Sequence, residues 1–367
     1  MTEDVIVVYA EGVEVVMATL YLSVQYSVVK LDGEALRVDM PEGDGSRRRG
    51  RVVRVPLAKV EQVMVFGEVT LTTPVLHTLM ERRVSVHYLS VFGRSYGALV
   101  ADPAKNAGLR LAQYGLHRDC VRRFEVARQV VAGKLLNMRT VLLRYARERE
   151  DGEPLREAAE LVRGELRQLA GLRAPETVSP DDRMHGLGVL FGLEGRGSLA
   201  YFGVFGRLLK GDWVFSGRVK RPPRDPVNAL LSFGYAVLTN QVMSLVCAVG
   251  LDPAVGGLHQ PGFGKPALAL DLVEEFRPVV VDSVVLTLLN TGQVSVGDFV
   301  EELGSFRLRD EPRKLFLSKL EERLNTVVQH PVFGYKVSYR RCIELQARLF
   351  AKFAQGEVDR YVPFTVR

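Results

Sequence analysis

Cysteine is scarce in this 367-residue chain. Only Cys120, Cys247 and Cys342 occur, far apart and with no CxxC pair. That argues against a thiolate zinc site, and the odd count suits a reducing compartment. No stretch reads as ~18 uncharged apolar residues, so no membrane span is expected. The first residues, MTEDVIVVYAEGVEVV, carry acids where a secretory signal needs positive charge. A cytoplasmic protein is the expectation. A Ser or Cys catalytic triad is also lacking.

Charge of one sign is not in large excess either. Lys plus Arg is 49 and Asp plus Glu is 43, a formal net charge of +6. This balance permits a nucleic-acid partner without demanding one. Hydrophobic residues at 47% and charged residues at 25% describe an ordinary globular chain. At roughly 150 residues per domain, two or three domains are expected.

The hydrophobic period changes near residue 100. From Tyr21 to about Tyr96 the pattern alternates as in strands, with a hairpin turn at Asp32-Gly33 and a short helix at Pro74–Arg82. The first eighteen residues also read as β. The polar tip at 42–51, with Arg47, Arg48 and Arg49, is either a solvated hairpin end or a phosphate-contacting finger. Beyond Asp102-Pro103 the period becomes helical over 106–150, 153–171, 183–210, 225–249, 268–290, 295–303, 311–329 and 337–355. The expected fold class is α+β: an N-terminal β-sandwich-like domain at 1–98, a linker at 99–107 and a larger all-α catalytic domain at 108–367.

Polar residues in the helical half carry the candidate chemistry. In LALDLVEEFRP (268–278), Asp271 and Glu274 share a helix face, with Glu275 next to them. Grouped carboxylates repel unless a cation joins them, and Mg²⁺ or Mn²⁺ prefers such oxygens. The alternative is a solvated acidic face paired with Arg277. His259 lies in the preceding Gly- and Pro-rich loop and is a ligand or a surface residue. Glu194, in FGLEGRGSLAYF (191–202), needs a partner, either a metal or Arg196. Asp225 reads as a helix N-cap before Pro226. Arg218, Lys220, Arg221 and Arg224 surround two prolines on a loop that can track phosphates, and Asn228 and Tyr235 follow on the helix.

These strings carry a resemblance. FGLEGRGSLAYF, RPPRDPVNALLSFGY (221–235), GLDP with GGLH (250–259) and LALDLVEEFRP occur in this order. Together with LYLS (20–23), RVPLAKVEQVMVFG (54–67), HYLSVFGRSYGALV (87–100) and YVPF (361–364), they resemble the CRISPR-associated integrase of the spacer-acquisition module. This is the larger of the two core adaptation proteins. The resemblance covers nearly the whole chain from about residue 18.

It implies that Glu194, His259 and Glu274 are the metal ligands for Mg²⁺ or Mn²⁺, with Asp271 as an additional catalytic acid. Many members have Asp where Glu274 stands. Glu275 is not a usual ligand. Arg277 would position the acidic helix or a phosphate, and Arg218, Lys220, Arg221, Arg224, Asn228 and Lys265 would meet DNA. It also implies a β domain that dimerises and a small ferredoxin-like partner bridging two homodimers. The DNA partners would be duplex and branched molecules, prespacer and CRISPR repeat. Whether an end-trimming iron–sulfur nuclease works alongside is left open by the sequence, and no membrane is involved. The implied reaction is attack of a prespacer 3′-hydroxyl on a repeat phosphodiester, with hydrolysis when water replaces the hydroxyl. Two other readings stand beside it: a non-catalytic DNA-binding scaffold, and a stand-alone nuclease of DNA repair. Tyr201 and Lys265 are candidates for supporting or DNA-contacting roles. His77, His87, His117, His185 and His330 receive none.

Overall fold

The computed structural model describes residues 19–41, 49–100, 106–175 and 186–366. Residues 1–18, most of the arginine-bearing tip at 42–51, much of the linker at 99–107 and His185 lie outside the described residues. Two compact units are formed, one within Met1–Pro103 plus Arg309–Asn325 and the other within Ala104–Leu308 plus Thr326–Arg367.

The first unit contains two four-stranded sheets. Its strands are β1 (Thr19–Leu22), β2 (Val28–Asp32), β3 (Ala35–Pro41), β4 (Arg49–Pro56), β5 (Gln62–Phe66), β6 (Thr70–Leu71), β7 (Ser85–Leu89) and β8 (Ser95–Leu99), with helix α1 at Thr73–Glu81. One sheet has the order β1-β5-β7-β8 and the other β4-β3-β2-β6. Strict alternation in β3 sends Leu36, Val38 and Met40 inward. They join Leu20, Leu22, Val63, Val65 and Val86 of the other sheet, with Val75 and Leu79 of α1, in one core. A β-sandwich-like domain is therefore present. The β2–β3 hairpin pairs Asp32 with Ala35, so the loop is Gly33-Glu34, one residue later than the sequence suggests.

The second unit is mostly helical. It contains α2 (Ala107–Arg118), α3 (Cys120–Arg147), α4 (Glu153–Gly171), α5 (Gly188–Gly203), α6 (Pro226–Val249), α7 (Ala267–Phe276) and α8 (Ser283–Asn290). Asp119 and Asp225 cap α3 and α6, accepting hydrogen bonds from Arg122 N at 2.9 Å and Asn228 N at 2.7 Å. Pro278 interrupts the expected helix at 268–290, and one π-helical turn, Pro278–Asp282, links α7 to α8.

Three expectations are corrected here. Residues 295–303 are not a helix: a single 3₁₀ turn closed by Ser295 and Asp298 leads into β9 (Phe299–Glu302), which pairs with β10 (Ser305–Leu308). Leu303 and Gly304 turn the chain with positive φ, which a helix forbids. The helix expected at 311–329 is α9 (Asp310–Asn325), and β-branched Val327 and Val328 pass into β11 (Val327–Gln329), paired with β12 (Lys336–Ser338) before α10 (Tyr339–Gln355). The region 108–367 is therefore not all-α. Moreover, α9 belongs to the first unit, where Tyr21 Oη donates to the buried Glu321 carboxylate at 3.0 Å.

The hydropathy expectation is corrected as well. Helix α6 has no charged residue and is long and apolar enough to cross a membrane, but 67% of its apolar window is buried inside the protein. Asn228, Asn240, Gln241 and Ser244 of this helix are also buried. It is a core helix by packing.

Candidate metal centre

Helix α3 forms the floor of the site. Its buried stripe runs through Val130, Val131, Leu135, Met138 and Leu142, and it also contains Lys134 and Asn137. Helices α5 and α7 both pack on it. The approach of α5 depends on Gly197, where an added Cβ would lie 2.4 Å from Leu135. One turn earlier on α5 stands Glu194.

Glu194 and Glu274 meet at one cation. Lys134 is ion-paired with Glu194 and lies 2.7 Å from Glu274 Oε2. Burial alone would raise the Glu274 carboxyl, but Arg277 and Lys134 outweigh it and hold it at about 2. Arg277 pairs with Glu274 Oε1. Glu274 Oε2 is buried and, despite its nearness to the ammonium, has no hydrogen bond of good alignment. Lys134 and Glu274 side chains are 8% and 7% exposed, whereas Glu194 is 23% exposed, so the site opens on the Glu194 side. The solvated acidic face is thus not what forms. Arg196 turns away from Glu194 and binds Glu165 at 2.7 Å.

His259 is held from two directions. Asp271 Oδ1 lies 2.8 Å from its Nδ1 and accepts its backbone N–H at 2.8 Å. Asp271 Oδ2 accepts the N–H groups of Gly257 and Leu258 at 2.6 and 3.0 Å. A carboxylate only accepts, so Nδ1 carries a proton, and in the neutral ring Nε2 is the nitrogen with the free lone pair. The loop itself is moored to α2 and α3: Gln113 donates to the carbonyls of Asp252 and Val255, His117 Nδ1 meets Gly256 O at 2.9 Å, and Arg123 donates to Gly257 O. Gly256 is required because a Cβ would sit 2.3 Å from Asp271 Oδ2 and 2.9 Å from the Ala267 backbone. The His259 ring stands edge-on to Phe191, one turn before Glu194, at 6.2 Å between centroids.

Among the described residues, no three His, Cys, Asp or Glu side chains are close enough to share an ion directly. The Lys134 ammonium occupies the space between the two carboxylates, as a stand-in cation. The donor chemistry fits a hard divalent ion: two carboxylates already sharing one positive charge, one of their oxygens short of a hydrogen bond, and an imidazole oriented through its other nitrogen by a carboxylate.

Other predicted residues fall elsewhere. Glu275 points away from this site: it accepts from Tyr361 Oη (2.6 Å), Phe364 N (2.7 Å) and Gln346 Nε2 (2.9 Å). Burial pushes its carboxyl up to about 8 against those three hydrogen bonds. Tyr201 is fully buried. Its hydroxyl and that of Tyr235 donate to buried Asp282 at 2.9 and 2.6 Å, and Arg277 and Arg218 stack on the Tyr235 ring at 4.8 and 5.3 Å.

The basic loop divides. Lys220, Arg221 and Arg224 are exposed, and Lys265 is half-buried. Lys220 is held below the ordinary lysine range by desolvation and then by the like charges of Lys134 and Arg277, which places it by the site. Asn228 is corrected: it is fully buried, and its amide bonds Val219 N, Gly217 O, Arg218 and Asp225, so it shapes the loop instead of meeting DNA. Arg218 is likewise engaged by Val219 O, Asn228 and Ser232.

Sequence reasoning misses Lys134. The signal that finds it is a lysine inside an otherwise apolar helical stripe, which has to be paired.

The chain resembles known proteins in sequence and in fold. The sequence profile of "CRISPR associated protein Cas1" matches residues 20–322. A CRISPR-associated endonuclease Cas1 of Thermus thermophilus is 40% identical over 324 residues, covering 88% of this chain and 91% of that protein. A CRISPR-associated exonuclease Cas4/endonuclease Cas1 fusion of Geobacter sulfurreducens is 38% identical over 357 residues, 95% of this chain, and this chain spans 60% of the fusion's length. The solved structure of a Cas1 protein from Thermotoga maritima superposes with a TM-score of 0.76 at 25% identity, covering 94% of this chain and 98% of that one. The chain belongs to the CRISPR-associated Cas1 family, the endonuclease–integrases of CRISPR adaptation.

Proposed function

We propose that this chain joins the 3′-hydroxyl end of a short duplex to a phosphodiester of a CRISPR repeat, using Mg²⁺ or Mn²⁺ held by Glu194, His259 and Glu274. The observation that carries the reading is the sharing of one cation by Glu194 and Glu274 beside an imidazole fixed by Asp271.

When bound, a divalent ion supplies Lewis acidity, activating the attacking hydroxyl and neutralising charge at phosphorus. The chain does the rest. Asp271 keeps His259 in one tautomer and one orientation. Arg277 clamps Glu274 as a carboxylate and is itself held over Tyr235. Lys220, Arg221 and Arg224 offer positive charge to the phosphates that flank the reacting bond. No side-chain nucleophile takes part: the DNA 3′-hydroxyl gives up its proton and bonds to phosphorus, and the repeat strand's own P–O3′ bond breaks, that oxygen leaving as a 3′-hydroxyl.

The resemblance adds partners to this proposal: a homodimer, a small ferredoxin-like protein joining two dimers, and an end-trimming iron–sulfur nuclease. The Geobacter relative, an exonuclease fused to an endonuclease, supports a trimming activity close to this one. No specific observation favours a non-catalytic scaffold, which has no use for a buried carboxylate pair.

The test is strand transfer. A labelled duplex with free 3′-hydroxyls, a plasmid bearing a repeat, the small partner and this chain are mixed with Mn²⁺, Mg²⁺ or EDTA, alongside His259→Ala. Joining that needs both metal and His259 is expected. Cleavage without joining would point to a nuclease. Binding that is indifferent to metal and to His259 would leave only the scaffold.

A further inference from the structure

Lys134 is an unusual residue for its position. It lies in the buried stripe of α3 between Val131, Leu135 and Met138. A lone ammonium there would be costly, and it persists only because two carboxylates from two other helices converge on it. Burial opposes its charge, but Glu274 and then Glu194 outweigh that, so the charged form is favoured.

The charge count at this point is balanced without any metal. Glu194 and Glu274 contribute two negative charges, and Lys134 and Arg277 two positive ones. A divalent ion between the same carboxylates would face the ammonium at close range, where like charges repel strongly in a buried setting. Arg277 can stay, because it uses Glu274 Oε1 and rests on Tyr235. Lys134 cannot, because it stands between the two acids. Glu274 Oε2, 2.7 Å from the ammonium, would exchange that partner for the ion.

We propose that Lys134 is an internal competitor for the divalent ion: its ammonium holds Glu194 and Glu274 together in the metal-free protein, yields when the ion enters, and thereby sets the metal concentration at which the site loads. This rests on the reading of Glu194 and Glu274 as metal ligands. The competition keeps a folded, closed site without metal and lowers the apparent affinity by the fraction of molecules in which the ammonium is withdrawn. Glu194 is the more exposed of the two acids, so the displaced head group would leave on that side.

The experiment is a calorimetric Mn²⁺ titration of the full chain without DNA, for wild type, Lys134→Met and Lys134→Arg. Removing the competitor is expected to tighten Mn²⁺ binding by about tenfold or more, corresponding to an ammonium-free fraction of about a tenth or less in the wild type. Metal-free Lys134→Met should melt at lower temperature than wild type, and saturating Mn²⁺ should raise its melting temperature by more. Lys134→Arg, which keeps the charge, should not show the tighter binding. A lysine with only a structural role predicts equal or weaker Mn²⁺ binding in Lys134→Met, and that result overturns the proposal. If Lys134→Met does not fold, amine acylation of the wild type followed by mass spectrometry decides: several-fold faster modification of Lys134 under saturating Mg²⁺ is expected, and an unchanged rate overturns it. Absence of Mn²⁺ binding in wild type and variants alike would overturn the metal reading itself, and this proposal with it.

Discussion

Asp271 lies on the first turns of α7 and binds His259 twice, through Nδ1 at 2.8 Å and through the backbone N–H at 2.8 Å. Both bonds end on Oδ1, while Oδ2 is occupied by Gly257 and Leu258. One buried carboxylate therefore fixes the loop and the imidazole together. Asp271→Asn keeps the shape but replaces an acceptor by a donor on one side. Mn²⁺ affinity is expected to fall about 10- to 100-fold, the usual loss when a carboxylate partner of a ligating histidine is removed. Calorimetric titration checks this, and unchanged affinity would show that the loop alone orients His259.

The Tyr235 ring and hydroxyl have separable tasks. The hydroxyl donates to Asp282, which burial pushes up to about 6 against the hydrogen bonds from Tyr235 and Tyr201. The ring carries Arg277 and Arg218. Tyr235→Phe should cost roughly 1–3 kcal/mol of stability by leaving a buried carboxylate half-satisfied. Its strand transfer, per folded molecule, should equal that of wild type. Tyr235→Ala should lose strand transfer as well, because Arg277 loses its platform. Denaturant melts paired with the joining assay separate the two, and equal strand-transfer losses in both variants would contradict the division.

Much of the site is legible in the sequence, and the reasons are local. The spacing of Asp271 and Glu274 on a helix, the N-cap at Asp225 and the period-two strands around Leu36 to Met40 depend on neighbours a few residues away. The pairing of Lys134 with two distant acids does not, since it needs three helices to be packed first. The β9–β10 hairpin escapes because Val296, Phe299, Val300 and Leu303 fall at i, i+3, i+4 and i+7 and imitate a helical period over a segment too short to distinguish. Asn228 looks available because the sequence does not show that the loop at 217–225 folds back over it.

His87 makes the first unit sensitive to acid. It sits on β7, 1% exposed, and neither ring nitrogen has a hydrogen bond among the described residues. Burial holds it down to about 4, against an ordinary value of 6.5. The native state keeps it neutral while the unfolded chain protonates near 6.5. Its stabilising share is therefore complete above pH 6.5 and is lost as pH falls from there to about 4, a change of about 3 kcal/mol. His87→Leu should flatten the fall in stability across that window, read from urea midpoints at about pH 7 and about pH 5. A pH dependence identical to wild type would contradict the assignment.

The exposed bases of the loop should act through salt. Replacing Lys220, Arg221 and Arg224 by Ala should weaken duplex binding and flatten the plot of log affinity against log salt by about 0.9 for each phosphate no longer neutralised. Arg218→Ala should instead lower the melting temperature, because its guanidinium is bonded within the loop. Binding at several salt concentrations distinguishes these effects. An unaltered slope in the triple variant would remove the loop from the DNA interface.

The central claim is that Glu194, His259 and Glu274 hold one divalent ion. Anomalous diffraction from crystals equilibrated with Mn²⁺ tests it most directly. The account predicts a manganese peak within bonding distance of a carboxylate oxygen of Glu194, a carboxylate oxygen of Glu274 and His259 Nε2, with the Lys134 ammonium moved out from between the acids. Absence of manganese from this place, with Lys134 still bridging Glu194 and Glu274 at saturating Mn²⁺, would contradict it.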